Sequence, residues 1–206
     1  MISVSLNEIY SETYKALRSV NIEWSLAKDC ANKAKWLAQH GENFLGSILK
    51  TADLYQKQDI TISINENTNE KPLASALVAL LLVEYVSANR ITWEGYIDSS
   101  KFLFAAMGII AEEQQIYLML ENEKKEIVAF TKDKTIYVNL NLDTNVPSYY
   151  LLKKYDFIKN KNIEYNSLKK HKDIIKISDK CWDRLKSMAF ETYVPESETS
   201  KSGAGY

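Results

Sequence analysis

Residues 72–89, P-L-A-S-A-L-V-A-L-L-L-V-E-Y-V-S-A-N, form the most apolar stretch of the chain and leave it few ways to fold. A helix that is apolar on every side lies either at the centre of a globular protein or within a membrane. The uninterrupted apolar run ends at Glu84, well short of the roughly 20 residues that a membrane-spanning helix needs. We therefore expect no membrane association, and a buried helix around which the other elements pack. A pair of short buried strands is the alternative, because periodicity does not distinguish the two for such a run.

Glu84 places a carboxyl group on this otherwise apolar element. An ionised carboxylate in such a position must be paired, neutralised or solvated. One interpretation is that its side chain reaches the rim of the protein and meets Arg90 or a lysine. The functional interpretation is a carboxylate of raised pKa that lines a pocket.

The composition narrows the class of protein. With 206 residues, 46% of them hydrophobic, the chain is long enough for a single domain over residues 1–206 with a substantial core. The formal net charge of -1 argues against a surface built for nucleic acid. Only Arg18, Arg90 and Arg184 carry the guanidinium group that best binds carboxylate and phosphate.

The cysteines and histidines predict no metal site. Cys30 and Cys181 are far apart along the chain, and neither shares a zinc-ligand spacing with His40 or His171. The start of the chain, M-I-S-V-S-L-N-E, has neither the basic nor the apolar region of a secretion signal. We therefore expect a cytoplasmic protein with two free thiols and no metal or cofactor.

Two helices are expected at the start of the chain. The first covers residues 4–21, where Ser5 and Glu8 have the spacing of a capping box. The second covers residues 23–40 and is followed by Gly41, and glycine commonly terminates a helix at this position.

The second helix carries one aromatic residue outside its apolar face. Trp36 falls in the sector of Asp29, Lys33 and His40, away from the arc of alanines and leucines. The simpler explanation is a second packing face against the first helix. The alternative is that Trp36, Asp29 and His40 line a surface that binds a ligand or a partner.

The rest of the chain mixes helical and strand patterns, which predicts an α+β fold. Further helices are expected over residues 42–56, from a cap at Asp98 or Ser99 to residue 110, and from Ser178 until Pro195 ends the last one. Strands are expected over residues 60–64, 91–97, 115–121, 126–131 and 135–142. The last three follow one another through short turns as a β-meander. We therefore expect a mostly antiparallel sheet of about five strands packed against several helices, with the helix over residues 72–89 at the centre.

Residues 149–177 contain eight lysines interleaved with tyrosines and a phenylalanine. Lysines and aromatic rings together can bind single-stranded nucleic acid through charge and stacking. The segment has no arginine, no glycine-rich loop and no recognisable nucleic-acid module. We therefore expect a solvated lysine surface with ordinary core aromatics, and no nucleic-acid partner.

Three motifs occur together in this chain: V-S-L-N-E-I from Val4, W-S-L-A-x-x-x-A-x-x-A-x-W-L from Trp24, and T-Y-V-P-E-S-E-T-S followed by G-A-G near the end. In this combination the chain resembles a family of uncharacterised bacterial proteins that is defined as a domain of unknown function. It departs from the family pattern at Lys28, where an acidic residue is expected, and at Lys201, where an arginine is expected.

The resemblance implies no activity, but it directs attention to the polar tail over residues 196–206. Glu198 and its neighbours could fold back over a pocket, because the glycines of the tail allow a close backbone approach. The alternative is a loose terminus.

Two functions from different classes remain. We expect a cytoplasmic accessory or small-ligand-binding protein; the thirteen tyrosines, a residue type enriched at interfaces, favour self-association as a homodimer. The alternative is a small-molecule enzyme that uses the acid–base chemistry of Asp, Glu and His side chains. For either function, the candidate residues would have to converge on one concave pocket. They are Asp29, Trp36, His40, Glu84, Arg90 and Glu198.

Overall fold

The computed structural model describes residues 1–65, 70–88, 92–155, 165–171 and 174–192. Within these residues the chain forms six helices and eight strands, which confirms the α+β class. The helices are α1 (Leu6–Ser19), α2 (Trp24–Gln39), α3 (Leu45–Gln56), α4 (Ser75–Ala88), α5 (Lys101–Gln114) and α6 (Asp179–Phe190). The strands are β1 (Ile2–Ser5), β2 (Thr92–Ile97), β3 (Leu118–Asn122), β4 (Ile127–Lys132), β5 (Thr135–Val138), β6 (Ser148–Lys154), β7 (Asn166–Ser167) and β8 (Ile174–Ile177). Arg90, Pro195, Glu198 and the tail over residues 196–206 lie outside the described residues.

Six strands form one antiparallel sheet in the order β2-β6-β3-β4-β5-β7. The predicted meander is confirmed as β3, β4 and β5. Two of its strands were not expected: β6 lies between β2 and β3, and β7 pairs with β5, and both come largely from the lysine-rich segment. The remaining two strands, β1 and β8, pair with each other in a separate antiparallel ribbon.

The helices pack against this sheet and against one another in successive layers. α4 packs against β2 and β6, and α5 packs against β4 and β5. α2 lies on the far side of both helices, and α1 and α6 follow beyond it. The middle layer therefore has protein on both sides, which explains why the sequences of α4 and α5 are apolar almost all round.

α4 is the central helix that the apolar stretch predicts, with two corrections. It begins at Ser75 rather than at Pro72, because Leu73 is extended and bridges Thr61 and Ile97. Its interior residues include Leu77 and Val83, which are buried. Leu81, however, is 48% exposed and forms a surface strip with Glu84 one turn further on.

Two local signals near the N-terminus of the chain are confirmed. The hydroxyl group of Ser5 accepts a hydrogen bond from the amide of Glu8, and the carboxylate of Glu8 accepts one from the amide of Ser5. α2 is followed by Gly41 at a φ of +77°, a left-handed conformation that favours glycine. The first helix begins at Leu6 and not at Val4, because Ile2–Ser5 form an unexpected strand, β1.

The strand expected over residues 60–64 does not form. Thr61 makes a single bridge to Leu73, and Ile62 is exposed. Ile60 belongs to the core and Ile64 packs against it, but Ile62 between them is exposed, so the segment does not keep the regular alternation of a half-buried strand.

The elements that flank the sheet also end differently from the prediction. Ser100 rather than Asp98 or Ser99 occupies the N-cap position of α5, since the carboxyl group of Asp98 turns towards Ser75. β5 ends at Val138 instead of continuing to residue 142, and Leu140 is exposed.

Candidate functional site

A cavity of about 420 Å³ lies between α2, α5 and the β5–β7 edge of the sheet. α2 contributes Trp36 and His40, and α5 contributes Gly108 and Glu112. The opposite wall consists of residues 134–137, from the β4–β5 turn into β5, and residues 167–170. The volume of the cavity is within the range of small-molecule binding sites. We call it the Trp36–His40 cavity.

The rings of Trp36 and His40 stack on each other in this cavity. Trp36 and His40 are four residues apart on α2, and therefore on the same side of the helix; their ring centroids are 3.6 Å apart. The Nδ1 atom of His40 lies 2.8 Å from the carbonyl oxygen of Trp36. Because a carbonyl group only accepts, Nδ1 carries the proton, and Nε2 is left as an acceptor without a partner among the described residues.

Burial lowers the pKa of His40, and it outweighs the hydrogen bond to Trp36 and the charge of Glu112, which act in the other direction. The imidazole is therefore neutral near pH 7. Its charge neighbourhood consists of Glu112, Lys170 and His171. His40 is thus a fixed, neutral acceptor on the wall of the cavity.

Gly108 allows the indole ring of Trp36 to pack directly on α5. A Cβ atom at position 108 would lie 2.2 Å from the Cζ2 atom of Trp36, which is far inside van der Waals contact. Trp36 is only 8% exposed, and its Nε1–H group is buried with no acceptor among the described residues. Buried donors are almost always hydrogen-bonded in folded proteins, so this indole nitrogen requires an explanation.

Positive charge surrounds the cavity. Lys134, Lys169 and Lys170 line it, and all three side chains are exposed. The amine of Lys170 lies 3.1 Å from the carboxylate of Glu112. The described residues provide no such ion pair for Lys134 or Lys169.

The structure brings together two of the six candidate residues from the sequence. Trp36 and His40 share the cavity, whereas Asp29 and Glu84 are not part of its lining. Glu84 is exposed on α4, and Asp29 is half-buried on α2. The remaining two, Arg90 and Glu198, lie outside the described residues.

A buried amine is the most unusual charged group that the sequence analysis did not single out. Lys33 is 1% exposed, and its Nζ atom has no hydrogen-bond partner among the described residues. Burial lowers the pKa of Lys33, against the opposing influence of Cys30, Asp29 and Glu84. One feature of the sequence indicates that Lys33 is buried. Lys33 shares a helical sector with Trp36, and a tryptophan on a polar face indicates that the face is buried.

A second buried polar group, the carboxyl of Asp98, joins three elements. It accepts hydrogen bonds from the backbone amide of Ser75 at 3.0 Å and from the hydroxyl of Thr51 at 3.2 Å. Burial raises the pKa of Asp98, and these hydrogen bonds act against the shift. Because its acceptor atoms are used in holding α3 and α4 to β2, Asp98 has a structural role.

Among the described residues, two further cavities lie elsewhere on the protein. One, of about 610 Å³, is bordered by Glu42, His171 and Cys181. The other, of about 800 Å³, lies over β2, β6 and β3, where Lys153 is paired with Glu121. Neither lining includes a buried polar atom without a hydrogen-bond partner, so the Trp36–His40 cavity is the stronger candidate site.

Within the described residues, no three His, Cys, Asp or Glu side chains are grouped so that they could hold a metal ion. None of the described helices combines the length and hydrophobicity needed to cross a membrane.

No protein-family model, curated protein or solved structure matches the chain. The resemblance to a bacterial family of unknown function therefore remains a prediction.

Proposed function

We propose that the protein is an accessory protein that binds a small molecule in the Trp36–His40 cavity. The observation that supports this most is the wall formed by the stacked rings of Trp36 and His40, on which Nε2 of His40 is an acceptor without a partner among the described residues. A ligand with a hydroxyl group or another donor could satisfy this acceptor. The cavity volume of about 420 Å³ suits a metabolite-sized molecule.

The enzyme alternative has less support. His40 is a neutral imidazole that could act as a base, but Asp29 and Glu84 do not line the cavity with it. The carboxylate that does line it, Glu112, is paired with Lys170. Acid–base catalysis needs a proton donor or acceptor within hydrogen-bond reach of the substrate, and of the described residues that the sequence proposed for this chemistry only His40 lines the cavity.

The proposal includes a cytoplasmic location and self-association. The unpaired thiols of Cys30 and Cys181 support a reducing compartment, and the abundance of tyrosine supports an interface between copies. Light scattering tests the second part. A solution mass of 23.7 kDa, that of one chain, would contradict self-association without affecting the proposed ligand site.

A thermal-shift screen against a metabolite library tests the ligand site, because binding to the folded state raises its apparent stability. We expect at least one compound to raise the melting temperature of the wild type and to lose this effect with Trp36→Phe, which keeps an aromatic ring but removes part of the wall that the ligand would contact. Trp24→Phe is the matched control, since Trp24 is 66% exposed and does not line the cavity. Equal shifts in both variants would place the ligand elsewhere and contradict the proposal.

A further inference from the structure

The β4–β5 turn places a lysine at the Trp36–His40 cavity in an unfavourable backbone conformation. Lys132 pairs with Thr135, so the turn has two central residues, Asp133 and Lys134, with φ angles of 48° and 64°. Two-residue turns with both central residues left-handed strongly favour Asn-Gly. A side chain other than glycine costs roughly 1 kcal/mol in this region. Lys134 therefore occupies a position where glycine would give a more stable fold.

Lys134 and Lys169 give the cavity positive charge that no ion pair among the described residues balances. They line it together with Lys170, whose charge is balanced by Glu112 at 3.1 Å. Lysines on a protein surface usually serve only to keep it solvated. Here, however, they border one concave site together, so that their positive charges act on the same ligand.

The charged groups of the cavity lining are three lysines and one glutamate, so the net charge of the lining is positive. The amines of Lys134 and Lys169 only donate hydrogen bonds. Nε2 of His40 and the carboxylate of Glu112 accept, and the hydroxyl groups of the lining can do both. Carboxylate and phosphate groups accept several hydrogen bonds and carry negative charge. A cationic ligand would instead be repelled by the lysines.

From these observations we infer that the ligand of the Trp36–His40 cavity is a small organic anion whose carboxylate or phosphate group is held by Lys134 and Lys169. The inference rests on the proposed function, because it names the chemical class of the ligand of the same site. Lysine acts as a point charge, and only arginine offers the planar fork that matches a carboxylate or phosphate group. The site therefore selects by charge, and the test must include both types of anion.

Four probes with one ring separate charge from shape: phenyl phosphate, benzoate, uncharged benzyl alcohol and cationic benzylamine. The ring can rest on the apolar part of the lining, where Ile136 and Leu168 lie. Isothermal titration calorimetry at low ionic strength measures each affinity. We expect both anions to bind more tightly than the alcohol and the amine, and their affinity to fall as salt screens the lysines. Equal or tighter binding of the alcohol or the amine would overturn the inference, as would the absence of binding by both anions at millimolar concentration.

Lys134→Gly separates binding from folding. It removes the amine but leaves a residue that favours the left-handed conformation, so we expect unchanged or higher stability and roughly tenfold weaker binding of the anions. Lys125→Gly is the matched control: Lys125 also has a positive φ, of 60°, in the β3–β4 turn, and it does not line this cavity. It should bind the anions as the wild type does. Wild-type affinity in Lys134→Gly would overturn the inference.

Trp36→Phe distinguishes failure of the inference from failure of the proposed function. If a compound from the thermal-shift screen binds in a Trp36-dependent manner but neither anion does, the cavity is a ligand site, but the chemical class inferred for its ligand is wrong. If the anions bind the wild type and Trp36→Phe equally well, they occupy a site other than the Trp36–His40 cavity, and the inference fails.

Discussion

The carboxyl group of Asp98 at the end of β2 accepts a hydrogen bond from the backbone amide of Ser75, the first residue of α4, at 3.0 Å. It also accepts from the hydroxyl group of Ser75, and from that of Thr51 on α3 at 3.2 Å. The first amides of a helix have no partner within the helix and carry partial positive charge. Asp98 therefore supplies from a distant strand the cap that the sequence of α4 lacks.

We expect Asp98→Ala to lower the free energy of unfolding by about 3 kcal/mol, because it leaves the buried donors of Ser75 and Thr51 without an acceptor. Urea denaturation followed by circular dichroism measures the change. Asp59→Ala is the control: Asp59 is exposed, and a surface substitution of this kind should change the stability by less than about 0.5 kcal/mol. Equal effects of the two substitutions would show that Asp98 does not hold the start of α4.

Two glycines in helices should respond to alanine in opposite directions. At Gly108 the new Cβ atom would lie 2.2 Å from the indole ring of Trp36, so Gly108→Ala should destabilise the fold by roughly 1–3 kcal/mol. At Gly46, in α3, no atom lies within 4 Å of the new Cβ, and alanine should stabilise the helix by roughly 0.4–1 kcal/mol. Thermal unfolding of both variants tests the pair. Stabilisation by Gly108→Ala would contradict the tight contact between α2 and α5.

Local chemistry was sufficient to predict the parts of the fold that depend on neighbours in sequence. The capping box of Ser5 and Glu8 and the glycine at the end of α2 each involve residues only a few positions apart. The meander followed from strands of period two joined by short turns, in which pairing is also local. The apolar stretch predicted a central helix because its composition allowed only an interior position.

Features that depend on long-range packing could not be predicted in this way. β6 reads as a lysine-rich segment, yet it is an inner strand because Tyr150 and Leu152 point to the core between two neighbours that lie distant in sequence. The position of Asp98 just before α5 suggests a local helix cap, but its carboxylate oxygens accept hydrogen bonds from α3 and α4 instead. The same applies to the site: Trp36 and His40 could be paired by helical spacing, whereas residues 134–137 and 167–170 reach them only through the folded sheet.

Lys33→Met should increase the stability of the protein. The substitution replaces a buried amine that lacks a partner among the described residues by an apolar side chain of similar length. We expect a gain on the order of 1–3 kcal/mol in urea denaturation at pH 7. Lys28→Met on the exposed side of the same helix serves as the control and should be nearly neutral.

The pH dependence of Lys33→Met provides a second test. Since burial lowers the pKa of Lys33 below its ordinary value of 10.5, the unfolded chain binds a proton that the folded protein does not bind in the window between the two values. The free energy of unfolding of the wild type should therefore rise with pH through this window, and that of Lys33→Met should rise less. A destabilised Lys33→Met variant would indicate that the amine has a partner or a ligand.

His40 should make the stability of the protein sensitive to mild acid. Burial lowers the pKa of His40 below its ordinary value of 6.5, so between these two values the unfolded chain binds a proton that the folded protein does not bind. The free energy of unfolding should fall as the pH drops from 7 to 5, by at most about 1.4 kcal/mol per pH unit. His40→Gln cannot titrate and should lose less stability over the same range. Urea denaturation of both proteins at several pH values measures the difference, and an NMR titration of the imidazole should give a midpoint below 6.5. If the stability difference between wild type and variant does not change with pH, His40 is not the buried neutral acceptor on which the ligand site depends.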